Sequence, residues 1–512
     1  MKRRKPSQPK FKENDPHQLS LLPPSLEGLI PENHVVRVVQ SVLDKVKLES
    51  IMAKYKGGGT SSYHPRMLLK VPTYGYLSNV YSSRKLEDAV SSNIHFMWLA
   101  GMQRPDHNTL NRFRSERLKG VFKEVFAQVV QLLMEEGLVS LEKVFTDGTK
   151  LEASANRYTF VWGKSVRRSR KRIGEQLEEL WAYAEGVAAE EMRDNRPSAF
   201  EEVDAEKVEQ AIGRINEALK DKKVDKKVRQ KLAHGKKNWP VKLREYGEKE
   251  RILDGRNSYS KTDPDATFMR MKEDHMGNGQ LKPGYNWQVS TSGQYILNYG
   301  IYHSPTDTLT FCDHIGEFEQ LYGQLPTAVT ADAGYGSQEN YAFLEEREIE
   351  GYVKYPSFHR EQKKNHRSNP FHPDNLFYSE AGDFLVCPVG QRMERCSRYK
   401  RQTKSGFEQA ISVYRARNCE GCPVRGQCHK SKENREISLN HGLRRHKAIM
   451  RQRLLSDKGV EMRKQRPADV EATFGNIKHN KKFRRLSLRG KDKVLVEVGL
   501  IALAHNLAKM AN

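Results

Sequence analysis

No stretch of this sequence approaches the roughly 20 apolar residues that a membrane-spanning helix needs, which excludes a helical membrane protein from the reading. The start, MKRRKPSQPKFKEND, is basic, and no apolar run follows it. It is therefore not expected to be a secretory signal, and a cytoplasmic protein is expected. Acids are in short supply: 64 Asp and Glu stand against 88 Lys and Arg, for a net charge of +24. Cysteines are few as well, six in 512 residues, and five of them fall between 387 and 428. In a reducing compartment such clustering points to metal before disulfides.

What the chain has in abundance is positive charge. An excess of this size favours a polyanionic partner, with DNA or RNA first, but charge alone does not separate a nuclease from a packaging protein. The length suggests roughly two to four domains.

Residues 1–16 form a basic arm, and 17–140 read as helical. ENHVVRVVQSVLDKVKL and SERLKGVFKEVFAQVVQLLMEEG carry apolar residues at helical spacing. In RPDHNTLNRFR, Pro105-Asp106 offers a turn and an N-cap, and Arg112 and Arg114 lie on the helix that follows. Short helices joined by tight turns suit a helix-turn-helix-like DNA reader; a purely structural helical domain fits equally.

From 141 to 512 the pattern changes. KVFTDGTKLEA (143–153) reads as a strand with Asp147 near its middle. A charged segment, 165–255, reads as a helical hairpin or short coiled coil inserted into the domain. YNWQVSTS and YILNYGIYHS read as a hairpin turning at Gly293. A helix over 306–323 precedes a buried strand, TAVTADAGYG (327–336), with Asp332 near its end. SQENYAFLEERE is a helix and GYVKYP a strand; a Cys-containing insert spans 370–440, and helices close the chain. With both inserts set aside, the order is three strands, then helix, strand, helix, strand, helix. That is the order of a ribonuclease-H-like mixed α/β sheet with helices on both faces, here preceded by an all-α N-terminal domain.

In such a sheet the first and fourth strands are neighbours, so Asp147 and Asp332 can face one site. Glu471, in VEATFGNIKHNKKFRRL, lies on the helix after the last strand and can reach the same place. Three carboxylates suit phosphodiester chemistry: two Mg²⁺ or Mn²⁺ ions about 4 Å apart activate the attacking oxygen and stabilise the leaving one. Each acid also has an ordinary reading: Asp147 in an Asp-Gly turn, Asp332 opening a loop, Glu471 complementing a helix dipole. Seven residues make nearly two helical turns, which would put Lys478 on the face of Glu471. Were the helix to run on, Lys482 would follow, with Arg484 and Arg485 beyond it as further phosphate contacts.

At this point the chain resembles the DDE transposases of bacterial insertion sequences, most of all the insertion sequence 1182 group. The motifs are TDGTKLEASANRYTFVW, DPDATFMRMK with GYNWQVST, TADAGYGSQENY and VEATFGNIKHNKKFRRLSLRGKDKVLVEVGLIALAHNL. The resemblance implies that Asp147, Asp332 and Glu471 are the metal-binding triad and that Lys478 matches the family's Lys at Glu-plus-seven. It implies cleavage at element ends and joining of the freed 3′-OH to target DNA. It also implies double-stranded DNA as partner, a homodimer or larger assembly in the DNA complex, and association with the nucleoid when bound. In related transposases an Arg often precedes the Glu by four positions and a Tyr by seven. Here those positions hold Pro467 and Lys464, with Arg466 one step before Pro467. Two other readings stand beside this one: a ribonuclease-H-like nuclease without strand transfer, and a transposase-derived DNA-binding regulator.

Cys387, then Cys419, Cys422 and Cys428, give one Cys followed by C-x2-C-x5-C. Thiolates at this spacing can bind structural Zn²⁺, with Cys396 and His429 competing for the fourth place; reduced thiols in a loop-rich insert are the alternative. A catalytic role is not expected of them, since the triad chemistry uses oxygen ligands.

Overall fold

The computed structural model describes residues 25–55, 62–192, 200, 204–271 and 279–511. The basic arm at 1–16 lies outside them, as does the beginning of the segment expected to be helical from residue 17.

Helices come first, as their spacing predicts. Val35–Lys45 buries Val36, Val39, Val42 and Leu43 along one stripe. Pro65–Leu77 follows, with His64 accepting from the Arg66 amide as its cap. Asp106 caps His107–Arg112 by accepting from the Thr109 amide at 2.8 Å, and Phe122–Glu135 completes the region.

The strands in chain order are β1 (Lys143–Glu152), β2 (Phe160–Trp162), β3 (Ser258–Ser260), β4 (Thr267–Arg270), β5 (Leu281–Ser292), β6 (Tyr295–Tyr302), β7 (Ala328–Ala331) and β8 (Glu350–Val353). The Cys-containing insert adds β9 (Tyr378–Ser379), β10 (Phe384–Val386), β11 (Arg392–Gln402), β12 (Glu408–Ala416) and β13 (Glu436–Leu439). A six-stranded mixed sheet runs β4-β5-β1-β7-β8, with β6 also on β5. β1, β5 and β6 form an antiparallel meander, turning through Gly293 and Gln294, both at positive φ. β7 lies parallel to β1, and β8 parallel to β7. The expected neighbourhood of the first and fourth strands is therefore present. The strand expected over 327–336 is shorter: it ends at Ala331, and Asp332 caps a tight helical turn, Ala333–Tyr335.

One hydrophobic core joins the N-terminal helices to the sheet, running from Val36 and Phe126 through Trp287 and Tyr299 to Leu503. The apolar helix Lys491–Met510 lies at its centre. Its Asn506 exchanges two hydrogen bonds with the backbone of Ile296, each 2.8 Å, and so serves the β6 edge as a missing strand would.

The charged insert differs from the expected hairpin. It has three long helices, Gly163–Val187, Ala205–Ala218 and Lys226–Leu253, with a core of their own around Leu177, Trp181, Ile212 and Trp239. The third escapes a periodicity reading because its apolar stripe is sparse: Leu232, Trp239, Pro240, Leu243 and Leu253 in 28 residues. The small β2-β3 ribbon ties this unit to the sheet. The Cys-containing insert is a second, five-stranded antiparallel sheet in the order β13-β12-β11-β10-β9.

Candidate active site

Strand register puts the two aspartates side by side. Thr146 on β1 pairs with Ala331 on β7, so one step further along these parallel strands Asp147 and Asp332 stand abreast. Asp147 remains within β1, opposite Val289 of β5, so its Asp-Gly is strand and not turn. Gly148 is needed there for room. A Cβ on it would lie 2.2 Å from Gln288 Nε2 and 2.6 Å from Asp307 Oδ1.

The third acid arrives on an unusual helix. Asp457–Arg466 continues into a π-helical turn at Pro467–Glu471, an α turn at Ala472–Gly475, and a second π turn at Asn476–Asn480. A π turn accommodates one extra residue, and such turns occur often at functional sites. In a regular α-helix, residues five apart point about 140° away from each other. The π turn instead brings Arg466 and Glu471 together: Arg466 Nη1 lies 2.8 Å from Glu471 Oε1. An arginine thus reaches Glu471 from Glu-minus-five, where the position four before it holds Pro467.

Arg466 is the hub of the site. Its Nη2 lies 3.0 Å from Asp147 Oδ2 and 4.0 Å from Asp332 Oδ2. The three carboxylates therefore converge on one guanidinium. Arg466 and Asp147 are buried, at 8% and 7% side-chain exposure, while Asp332 and Glu471 open to solvent at 40% and 52%. The remaining oxygens of the aspartates are held by backbone: Gly148 N–H donates to Asp147 Oδ1 at 2.8 Å, and Gly334 N–H to Asp332 Oδ1 at 2.7 Å. Arg466 Nε is buried with no hydrogen-bond partner, so the guanidinium is not fully satisfied where it lies.

Sequence reasoning missed two charged neighbours. Asp307, in the short turn Asp307–Leu309, accepts from Asn286 Nδ2 and Gln288 Nε2, each at 2.8 Å. It borders Gly148 and Gly334, which makes it a fourth carboxylate beside Asp332. Tyr335 is buried beneath this group and donates to Gln288 Oε1. Burial, reinforced by Asp307, Asp147 and Asp332, pushes its hydroxyl far above the usual range. Lys354, just past β8, is the other: burial, then the charges of Arg466 and Arg463, hold its ammonium below the usual range, with Asp332 and Glu471 pulling it back up. Neither carries a local motif. They meet the triad only because β6, β7 and β8 end near one another.

The residues expected to touch DNA divide. Arg112, Lys482, Arg484 and Arg485 are exposed. Arg114 is not: at 4% exposure it donates to Tyr76 Oη at 3.0 Å and to the Tyr81 carbonyl at 2.9 Å, and it works as a packing residue. Lys478 is also buried, at 9%. It lies within the second π turn, and the helix ends at Asn480, so Lys482 lies past it with φ of 53°. Arg485 lies 3.7 Å from Glu152, and Arg484 Nε donates to the Lys478 carbonyl. Glu497, buried on the C-terminal helix, accepts from the amides of Ser487 and Leu488 at 2.9 and 2.8 Å and so fastens this basic loop. Asp263 and Asp265 receive the amides of Gly490 and Lys491 at the start of that helix.

Fold and site together define a class: a mixed-sheet protein that gathers carboxylates at the ends of two parallel strands, with basic loops around them. Two comparisons narrow it. Residues 386–511 match the family model described as Transposase DDE domain, and residues 24–116 match that described as Transposase domain (DUF772). The chain carries transposase sequence toward both ends, and its resemblance to the DDE transposases of insertion sequences stands on these matches. The first match includes Arg466 and Glu471; Asp147 and Asp332 lie in the stretch between the two. No curated protein and no solved structure matches the chain.

Proposed function

We propose that this protein is a DNA transposase that cleaves insertion-sequence ends and joins the freed 3′-OH to target DNA. The observation that carries this reading is the grouping of Asp147, Asp332 and Glu471 around one buried guanidinium, which offsets part of their charge. Sheet order supports a ribonuclease-H-like catalytic domain: an antiparallel meander, then two parallel strands joined by helical crossovers, with the acids on the first and fourth strands.

The donor set fits hard divalent ions, since all the converging groups are carboxylate oxygens. Asp147, Asp332 and Glu471 would hold Mg²⁺ or Mn²⁺, which when bound supplies activation of the attacking oxygen and charge stabilisation of the leaving one. The chain's own part is positioning. The Gly148 and Gly334 amides fix one oxygen of each aspartate and leave the other aimed inward. Arg466 and the neighbouring Lys354 would hold the scissile phosphate. Arg484, Arg485 and Lys482 hold the flanking backbone, and the N-terminal helices, with exposed Arg112, hold the element end. Strand transfer at paired ends calls for at least two copies of the chain.

The test is a strand-transfer assay: pre-cut ends of the element that encodes the chain, a supercoiled target and Mg²⁺, with wild type and Asp332→Asn. Joined product from wild type and none from the variant is expected. Cleavage without joining would favour a nuclease, and DNA binding alone, unchanged in the variant, a regulator.

A further inference from the structure

Four of the six cysteines share one cavity. Cys387, Cys419, Cys422 and Cys428, with His429, line a small cavity of about 20 Å³ at the end of the small sheet. Cys387 follows β10, Cys419 and Cys422 lie on the turn after β12, and Cys428 closes the short helix Arg425–Cys428. Gly421, at φ of 66°, reverses the backbone between Cys419 and Cys422, so both thiols reach the same space. All four are free thiols. Cys396 does not belong with them: it is exposed on β11, where its sulfur contacts the Val413 carbonyl.

The surroundings suit negatively charged sulfur. The Arg435 amide donates to Cys419 Sγ at 3.3 Å, and Arg435 Nη1 to Cys428 Sγ at 3.0 Å. Both ring nitrogens of His429 are buried without a hydrogen-bond partner. The sheet also needs a fastening. Its own core is small, Leu385, Met393, Tyr414 and Ile437 chief among it, with Cys419 and Cys387 packed at its end. Cores of this size are commonly stapled by metal or disulfide.

We infer that Cys387, Cys419, Cys422 and Cys428 form a structural zinc site that fastens the end of the five-stranded sheet. Four thiolates satisfy the tetrahedral preference of Zn²⁺ and leave no open position for chemistry. His429 is then a donor to a charged sulfur and not a ligand. No three of these sulfurs lie within 4.8 Å of one another, and zinc would draw them together. Among the described residues the three ligand atoms already within 4.8 Å of one another are those of His366, His372 and Asp374. That trio is a poorer site, because His372 Nδ1 already accepts from the Asp374 amide and the two rings pack on each other at 4.2 Å.

The test uses the full chain, purified without chelator, and needs neither DNA nor Mg²⁺, so it stands or falls apart from the transposase reading. Metal analysis should find about one zinc per chain. Cys422→Ser should lower that content about tenfold, whereas Cys396→Ser and His429→Ala leave it unchanged. If the serine variant does not fold, thiol titration of the wild type decides. In the zinc-loaded native protein Cys396 reacts at once, and the four cavity thiols react only after a chelator is added. Zinc below about one ion per ten chains after growth in zinc, or cavity thiols as reactive as Cys396 with zinc bound, overturns the proposal.

Discussion

Arg466 lies among the three carboxylates proposed to hold metal, and removing it separates charge balance from catalysis. Breaking a buried ion pair strands its partner, at a cost of about 3–5 kcal/mol. Arg466→Gln should therefore melt well below wild type in chelator, and Mn²⁺ should restore more stability to the variant than it adds to wild type. Thermal melts with and without the ion check this. Asp307 permits a second test at this scale. Asn286 and Gln288 hold it beside Asp332. Loss of such supporting groups typically costs 10–100-fold in metal affinity or activity. Asp307→Asn should lower strand transfer by about that factor with the melting curve unchanged, whereas Gly148→Ala, which pushes a methyl into Gln288 and Asp307, should also cost about 1–3 kcal/mol of stability.

At the scale of elements, a buried acid fastens the middle of the basic loop after Asn480. Glu497 takes the Ser487 and Leu488 amides and the Ser487 hydroxyl, the last at 2.6 Å. In Glu497→Ala these amides should exchange with deuterium much faster, and DNA binding should weaken as Arg484 and Arg485 lose their place. Hydrogen exchange resolved to that loop, read beside a binding curve, checks both. The same scale shows what a sequence can disclose. β1, β5 and β6 announce themselves by apolar runs and a turn at Gly293, and the two aspartates by their places on such strands. The π turn does not announce itself: nothing in RPADVE says that one extra residue is absorbed there, so Pro467 reads as a lost arginine. Arg114 looks like a DNA contact because it shares a helix with Arg112. Its partner Tyr76 is 38 positions away, and only packing brings them together. Asp307 and Lys354 belong to the site through strand ends that are far apart in the chain.

Across the whole molecule, acid should act through buried histidines before it acts on the site. Burial, chiefly, depresses His505 from 6.5 to about 4 and His314 well below its usual value. An unfolded chain takes up these protons near pH 6.5, and the folded one refuses them until lower pH. Stability from keeping them neutral is thus present above pH 6.5 and is lost as pH falls toward 4. Melting temperature should drop across that window, and His505→Asn should flatten the slope. DNA affinity, by contrast, should fall steeply with salt at constant pH, since a chain of net charge +24 releases counterions when it binds. The shared core adds a constraint at this scale: the N-terminal helices cannot be removed without exposing the C-terminal helix that also backs the sheet.

The extra residue in the turn before Glu471 has a consequence for descent. It is a unit of chain with no counterpart in space, so it can be gained or lost only together with the position of the arginine. A relative with a regular helix there must carry its arginine one place later. The stretch from Arg466 to Glu471 should therefore be exchanged only as a single cassette: exchanged whole, it keeps the guanidinium among the acids, and exchanged piecemeal, it turns the arginine away from them.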